Sequence, residues 1–312
     1  MAGKIVALAG GVGAARFLEG LASVVAPSRI YIVGNTGDDA EIHGLPICPD
    51  LDTVSYTLAG LAHPERGWGI RGDTFHCLQA LTRLRAATWF QLGDRDVATH
   101  LYRRERLRQG ATLSQVTREI RAALGIRAEM VPMSDSPVRT RIITRRGELE
   151  FQNYFVRRKA RDAVLGVRYE GAEQARPAPG VLEAIHGAAG IVVCPSNPII
   201  SIGPILAVPG IREALRQTPA PVAAISPIVG GRALKGPAAR MMKSMGWRAS
   251  AAQVAELYRD FLDVFVLDGV DRDEARRVEA LGIRTVVTNT IMSGVPQKKA
   301  LARTVLKALE LA

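Results

Sequence analysis

Apolar and polar positions alternate along this chain in two different rhythms. "KIVALAGG" at the start is a short continuous apolar run closed by glycines, the signature of a strand buried on both faces. "AARFLEGLASVV" follows with apolar residues three and four apart, a helix with one buried face. "RIYIVGNTGDD" is a second apolar run that ends in a polar turn. Strand, glycine turn, helix, strand is the βαβ unit of a parallel sheet covered by helices. The theme returns in the second half. "AGIVVCPSNP" (189–198), "PVAAISPIVGG" (221–231), "DVFVLDG" (263–269) and "IRTVVTNTIM" (283–292) read as further strands. "PGIREALRQ" and the closing "KKALARTVLKALELA" read as helices.

Between these halves the rhythm changes. Residues 53–125 carry mainly helical spacing, clearest in "TLSQVTREIRAALG", where Thr112 or Ser114 can cap the start and Gly125 can stop the end. Residues 128–170 alternate in the period of strands, best in "RTRIITRRGELEFQNYFV", with a turn at Arg146–Gly147. The expectation is one α/β domain over residues 1–312. It has a Rossmann-like parallel sheet flanked by helices and an insertion, helical and then β, over 53–170 after the second strand. In such sheets ligands sit beyond the carboxyl ends of the strands, so the strand-end turns should converge.

Composition changes this picture little. A chain of 312 residues with 47% apolar content is long enough for a sizeable core. No run of eighteen apolar residues suggests a membrane span, and the apolar N-terminal stretch is too short for a secretory signal. Three scattered cysteines, Cys48, Cys77 and Cys194, lack the spacing of a zinc site or a disulfide framework, which points to a reducing, cytoplasmic setting. The net charge of +11 is carried by arginine, 34 of the 41 basic residues, with dense clusters at 102–110 and 156–162. Aromatics are only 5% of the chain and no nucleic-acid-binding motif is present. The charge therefore points to small anions rather than to nucleic acid.

Three turns could carry chemistry. "AGGVGAAR" (9–16) places Gly10, Gly11 and Gly13 where backbone N–H groups can approach an anion. Arg16 stands where a dinucleotide fingerprint would need a third small residue. "GNTGDD" (34–39) offers Asn35, Asp38 and Asp39, and "CPSNPIISIGP" (194–204) offers Ser196, Asn197, Ser201 and Gly203 on a loop stiffened by prolines. Each could instead be an ordinary connection. "CPDLDTVSYTLAG" (48–60) adds Asp50 and Asp52; Asp52 suits a helix N-cap, which leaves Asp50 spare. "GDRDVATH" (93–100) adds Asp94, Arg95, Asp96 and His100, the histidine best read as packed or capping. Carboxylates beside phosphate-binding turns imply a cation between them, and magnesium takes one or two carboxylates plus phosphate oxygens and water.

In order and spacing these blocks resemble the 2-phospho-L-lactate transferase family of deazaflavin coenzyme F(420) biosynthesis. The resemblance is carried by "LAGGVGAARFLEGL", "NTGDDAEIHGLPICPDLDTVSYTLAG", "RGWGIRGDTFHCL", "LGDRDVATH", "MSDSPVRT", "FQNYFV", "PSNPIISIGPILAVPGIR" and "SPIVGG". It runs from the first strand to beyond residue 268 and thins after about 270. It implies a magnesium-dependent, homodimeric transferase. Such an enzyme moves a phospho-three-carbon-acid unit from a guanosine diphosphate-linked donor to the ribityl hydroxyl of the deazaflavin Fo, and releases GMP. On this reading Gly10, Gly11, Gly13 and the 196–203 loop hold the guanosine diphosphate part. Asp50 holds magnesium and meets the Fo hydroxyl, while Asn35, Asp38, Asp39 and Asp94 are further contacts. Arg95 meets phosphate oxygens, and Trp68, Trp89 or Phe90 walls the deazaflavin ring. Ser136 replaces an aspartate common in relatives, and the acid of the donor (lactyl, enolpyruvyl or glyceryl) stays open. The rival readings are a nicotinamide-dependent oxidoreductase and a catalytically silent guanine-nucleotide-binding protein.

Overall fold

The computed structural model describes residues 3–311. Its centre is a seven-stranded, wholly parallel sheet of β1 (Lys4–Ala9), β2 (Ile30–Gly34), β3 (Glu129–Pro132), β4 (Ala188–Val193), β5 (Val222–Ile225), β6 (Val264–Asp268) and β7 (Arg284–Thr288). The spatial order is β7-β6-β5-β4-β1-β2-β3. Both faces are covered, which is why these strands read as continuous apolar runs. On β1, Val6 and Leu8 enter one core, whereas Ile5, Ala7 and Ala9 enter the other.

From β1 the chain builds outward through β2 to β3, then returns to the other side of β1 and builds through β4 to β7. The turns after β1 and β4 therefore leave the sheet side by side at its switch point. Leu8 is level with both Val33 and Val193, so the polar turns after β1, β2 and β4 begin at one height. Convergence of the strand-end turns follows directly from this register.

Four helices matter most for the site: α1 (Gly11–Ala22), α2 (Pro49–Leu58), α3 (His76–Arg83) and α4 (Asp94–Arg108). Helix α5 (Leu113–Ala123) has the expected start. The Thr112 hydroxyl accepts from the Gln115 N–H, and the Gln115 side chain accepts from the Thr112 N–H at 2.8 Å. Gly125 ends it with a positive φ.

Residues 53–170 are more divided than their periodicity suggests. Glu129–Pro132 is the edge strand of the central sheet. Arg139–Thr144, Gly147–Glu150 and Val164–Glu170 form a separate antiparallel sheet. "FQNYFV" is not extended: Asn153–Arg157 is a single wide helical turn. Its aromatics stand three and four positions apart, the spacing of a helix rather than of a strand. Phe151 and Tyr154 are buried in the core, and Phe155 stacks on Phe151 with ring centroids 5.4 Å apart.

Helix α1 also packs on the closing helix α6 (Val295–Ala308), where Phe17, Leu18 and Leu21 share a core with Leu301, Ala302 and Val305. Gly20 makes this approach possible, because a Cβ there would enter the backbone of Lys298. In an unconstrained helix, Gly→Ala stabilises by up to about 1 kcal/mol. Here Gly20→Ala is expected to destabilise by about 1–3 kcal/mol through overpacking. Chemical denaturation gives the sign directly.

Candidate active site

The turns after β1, β2, β4 and β5 enclose a cleft of about 710 Å3, within the ordinary range for a small-molecule site. Gly10, Gly11 and Gly13 line one wall, Asp38 and Asp50 another, and Ser196, Asn197 and Ser201 a third. The glycines are needed for close approach. A Cβ on Gly10 would lie 2.5 Å from Asp50 Oδ2 and 2.6 Å from Ser201 Cβ, and a Cβ on Gly13 would enter the Pro195 carbonyl. Ser196 closes the junction by donating its hydroxyl to the Gly10 carbonyl at 2.8 Å. Asn197 caps its own loop, accepting from the Ile199 N–H at 2.9 Å.

Asn35 is the hub of the acidic side. Fully buried, its amide donates to Asp50 Oδ2 at 2.9 Å, to Asp38 Oδ1 at 3.2 Å and to the Ile200 carbonyl at 3.1 Å. Its own oxygen accepts from the Gly37 N–H at 2.8 Å. One side chain thus joins the turns after β2 and β4 to helix α2 and holds two carboxyl groups near one another. Burial pushes the Asp50 pKa up to about 6, against the bonds from Asn35 and the Gly11 N–H. Asp38 is raised well above the carboxylate range by burial and by the charges of Asp50 and Asp39. Asp39 is buried behind the cleft rather than on its wall, and burial raises it to about 7 despite Arg139 and a bond from Cys48.

Asp52 does not cap α2. The helix begins at Pro49 without a side-chain cap, which puts Asp52 a full turn inside, where it forms a buried ion pair with Arg103 of α4. Arg103 also donates to the Pro46 carbonyl at 3.1 Å and to His100 Nδ1 at 3.0 Å. Since a guanidinium can only donate, His100 Nδ1 is the acceptor and the ring proton sits on Nε2, 3.2 Å from Asp96 Oδ1. Tyr56 donates to the same Asp96 oxygen at 2.7 Å. This buried chain fixes α2, and therefore Asp50, against α4. His100 is buried and packed, and with Asp52 and Asp96 it also lines the cleft.

Asp94 and Arg95 are not on the cleft wall. Asp94 accepts from the Thr74 hydroxyl at 2.6 Å and from the N–H groups of His76 and Cys77, both at 2.9 Å, capping α3. Asp73 returns the favour to α4, accepting from the N–H groups of Arg95 at 2.9 Å and Asp96 at 3.1 Å. Arg95 is exposed. The two helix starts cap each other, a long-range pairing that local spacing does not reveal. Gly203 also has a packing role, since a Cβ there would meet the Tyr169 hydroxyl. Ser136 is exposed and off the wall, and its neighbour Asp135 accepts from the Ser114 N–H at 2.6 Å at the start of α5.

Trp68, Trp89 and Phe90 all line the cleft, Trp89 and Phe90 edge to face at 5.7 Å. Sequence reasoning missed Phe151, Phe155, Arg66 and Lys235, which also line it. The aromatic pair was visible in "FQNYFV" at helical spacing, but the strand-like run that precedes it disguised the turn that aims it.

The 2-phospho-L-lactate transferase CofD family model matches residues 5–300. The chain belongs to that family. It is 45% identical over 315 residues to the phosphoenolpyruvate transferase of Streptomyces griseus, covering 99% of this chain and 98% of the relative. To the 2-phospho-L-lactate transferase of Methanosarcina mazei it is 39% identical over 304 residues, covering 97% and 100%. The crystal structure of a UPF0052 family member from Bacillus halodurans shares the fold, with TM-score 0.67 at 16% identity over 98% of this chain and 99% of that one. The family places this chain among transferases. Among the described residues, no single helix is long and apolar enough to cross a membrane.

Two predictions follow the electrostatics. Arg103→Met leaves Asp52 buried without its partner and is expected to cost about 3–5 kcal/mol; adding Asp52→Asn should recover part of that loss in denaturant titrations. The raised carboxyl groups set a pH dependence of the opposite sense to an ordinary ion pair. Folding favours their protonated forms, so their stabilisation is full below about pH 4 and is lost as pH rises through about 6 for Asp50 and about 7 for Asp39. In chelator, Asp50→Asn should therefore raise the melting temperature by a few degrees at pH 8 and by much less at pH 5.

Proposed function

We propose that this protein transfers the phospho-acid unit of a guanosine diphosphate-linked three-carbon acid to the terminal ribityl hydroxyl of Fo. The hydroxyl oxygen gives up its proton to water and bonds to the phosphorus that bears the acid, the bond from that phosphorus to the bridging oxygen breaks, and GMP leaves with its electron pair. The observation that carries this reading is the meeting of Asp38 and Asp50, two carboxyl groups held together by Asn35, with the glycine turn after β1.

Phosphoryl transfer asks chiefly for placement and charge neutralisation, and the cleft supplies both. The first turn of α1 presents backbone N–H groups to an anion, with Ser196 and Ser201 beside it. Trp89, Phe90, Phe151 and Phe155 offer apolar surface for a flat ring system. Among the described residues, no three carboxylate, imidazole or thiolate groups converge as a self-sufficient metal site. Two carboxylates do suit magnesium that completes its shell with phosphate oxygens and water, and they explain why a pair so costly to ionise is kept. Asp38 and Asp50 would hold that ion, which neutralises charge on the diphosphate when bound. We place the reaction in the cytoplasm and the enzyme as a homodimer, in keeping with the family resemblance. The enolpyruvyl donor stands first among the three acids, because the relatives named phosphoenolpyruvate transferase are the more similar ones.

Purified protein with Fo, magnesium and each donor in turn is expected to release GMP, fastest with the enolpyruvyl form. Asp50→Asn should lower that rate at least about a hundredfold, on the scale of losing a transition-state charge contact, with the fold intact by circular dichroism. Wild-type turnover in the variant would remove Asp50 from the mechanism.

A further inference from the structure

Two loops meet at the mouth of the cleft. The first, residues 61–72, is pinched by pairing of Ala62 with Ile70 and turns on Gly67, Gly69 and Gly72, all at positive φ. It lies against the start of α1: a Cβ on Gly67 would run into Val12. The second follows the hairpin of Ile228–Val229 and Arg232–Ala233. Lys235 joins them, its ammonium donating to the carbonyls of Glu65 and Arg66, both at 2.9 Å. An ammonium has three hydrogens. Two are used on the partner loop, which leaves one for the cleft that Lys235 lines.

Arg16 lines the same cleft. It stands one helical turn after Val12, so the two share a face of α1. Several surface arginines elsewhere in this protein are paired with acids, Arg106 with Glu119, Arg108 with Glu105, Arg141 with Glu150 and Glu170, Arg212 with Asp260, and many others are not, so what marks Arg16 is its place on the cleft wall. Among the described residues, neither Arg16 nor Lys235 has a carboxylate within ion-pair distance. They are close enough that the charge of Arg16, together with burial, lowers the Lys235 pKa. With Arg66, which lines the cleft and likewise has no carboxylate within ion-pair distance among the described residues, they make one side of the cavity an anion site.

The cleft therefore carries both signs of charge, and a donor of the class proposed above carries two kinds of anion. Its diphosphate can reach Asp38 and Asp50 through a divalent cation. The carboxylate of its three-carbon acid has no such bridge and is repelled by them. We propose that Arg16 and Lys235 form the subsite for that carboxylate, with the 61–72 loop and the 235 loop clasped over it by Lys235. This rests on the transferase reading and adds the part of the substrate that distinguishes donor from free nucleotide. Arg16, which breaks the dinucleotide fingerprint, thereby has a use.

The test compares ligands with and without the carboxylate. Lys235→Met keeps the length of the stem and removes the charge. Its KM for the donor should rise roughly 10- to 100-fold, the scale of a charged hydrogen bond, while the dissociation constant for guanosine diphosphate, measured by calorimetry, moves less than about threefold. Lys235→Arg should recover most of the loss, which a merely structural role for the lysine stem would not produce. Equal weakening of donor and guanosine diphosphate would assign these cations to phosphate and overturn the proposal, as would an unchanged donor KM. Failure of the unsubstituted protein to release GMP from any donor would instead sink the transferase reading on which the subsite depends.

Discussion

Holding Asp38 and Asp50 together out of water is the constraint around which this protein is arranged. Two carboxyl groups in a low-dielectric position repel one another when ionised and lose their hydration. Asn35 offsets part of that cost with one amide, and the Gly11 N–H offsets more. The remainder is unrelieved within the protein and keeps both carboxyl groups above the ordinary carboxylate range. Perturbed carboxyl groups of this kind mark functional sites, and the glycine turn beside them opens onto the same cleft.

The surrounding architecture serves to keep the pair in place. Asp50 rides on α2, which has no side-chain cap and starts in a proline-bounded corner. Its position is secured from within by Asp52, whose partner Arg103 reaches across from α4 and is itself fixed by His100 and the Pro46 carbonyl. Helix α4 is in turn held at its start by Asp73 and tied to α3 by Asp94. Each carboxylate in this part of the chain has a distinct use, and burial decides which. Asp38, Asp50, Asp52 and Asp96 all line the cleft, but Asp52 is neutralised there by the Arg103 guanidinium, and Asp94, off the wall, sits at a helix start where its charge is welcome.

The arginine excess divides in a similar way. In the 102–110 cluster, Arg103 is a core ion pair, while Arg106 and Arg108 are matched with Glu119 and Glu105 on the surface. The 156–162 cluster joins Arg145 and Arg146 in a shallow basic hollow, with Asp162 beside Arg158. Arg16 and Lys235 belong to neither cluster, yet they line the cleft. Density of charge along the chain is thus a poor guide to where charge acts.

Local pattern was enough for the sheet, because strands buried on both faces must be apolar throughout and their glycine and polar turns must leave from one end. It was also enough to bring Gly10, Gly11, Asp38, Asp50, Ser196 and Ser201 forward, since each sits in a turn directly after a sheet strand or at the start of the next helix. It could not separate Asp50 from Asp52, or Asp96 from Asp94, because these differ only in what another segment places beside them. Edge strand β3, the aim of Phe151 and Phe155, the mutual capping of α3 and α4, and the meeting of Lys235 with the 61–72 loop were likewise decided by tertiary structure. Periodicity records which face of an element is buried; the identity of the group it is buried against depends on chain segments tens to hundreds of residues away.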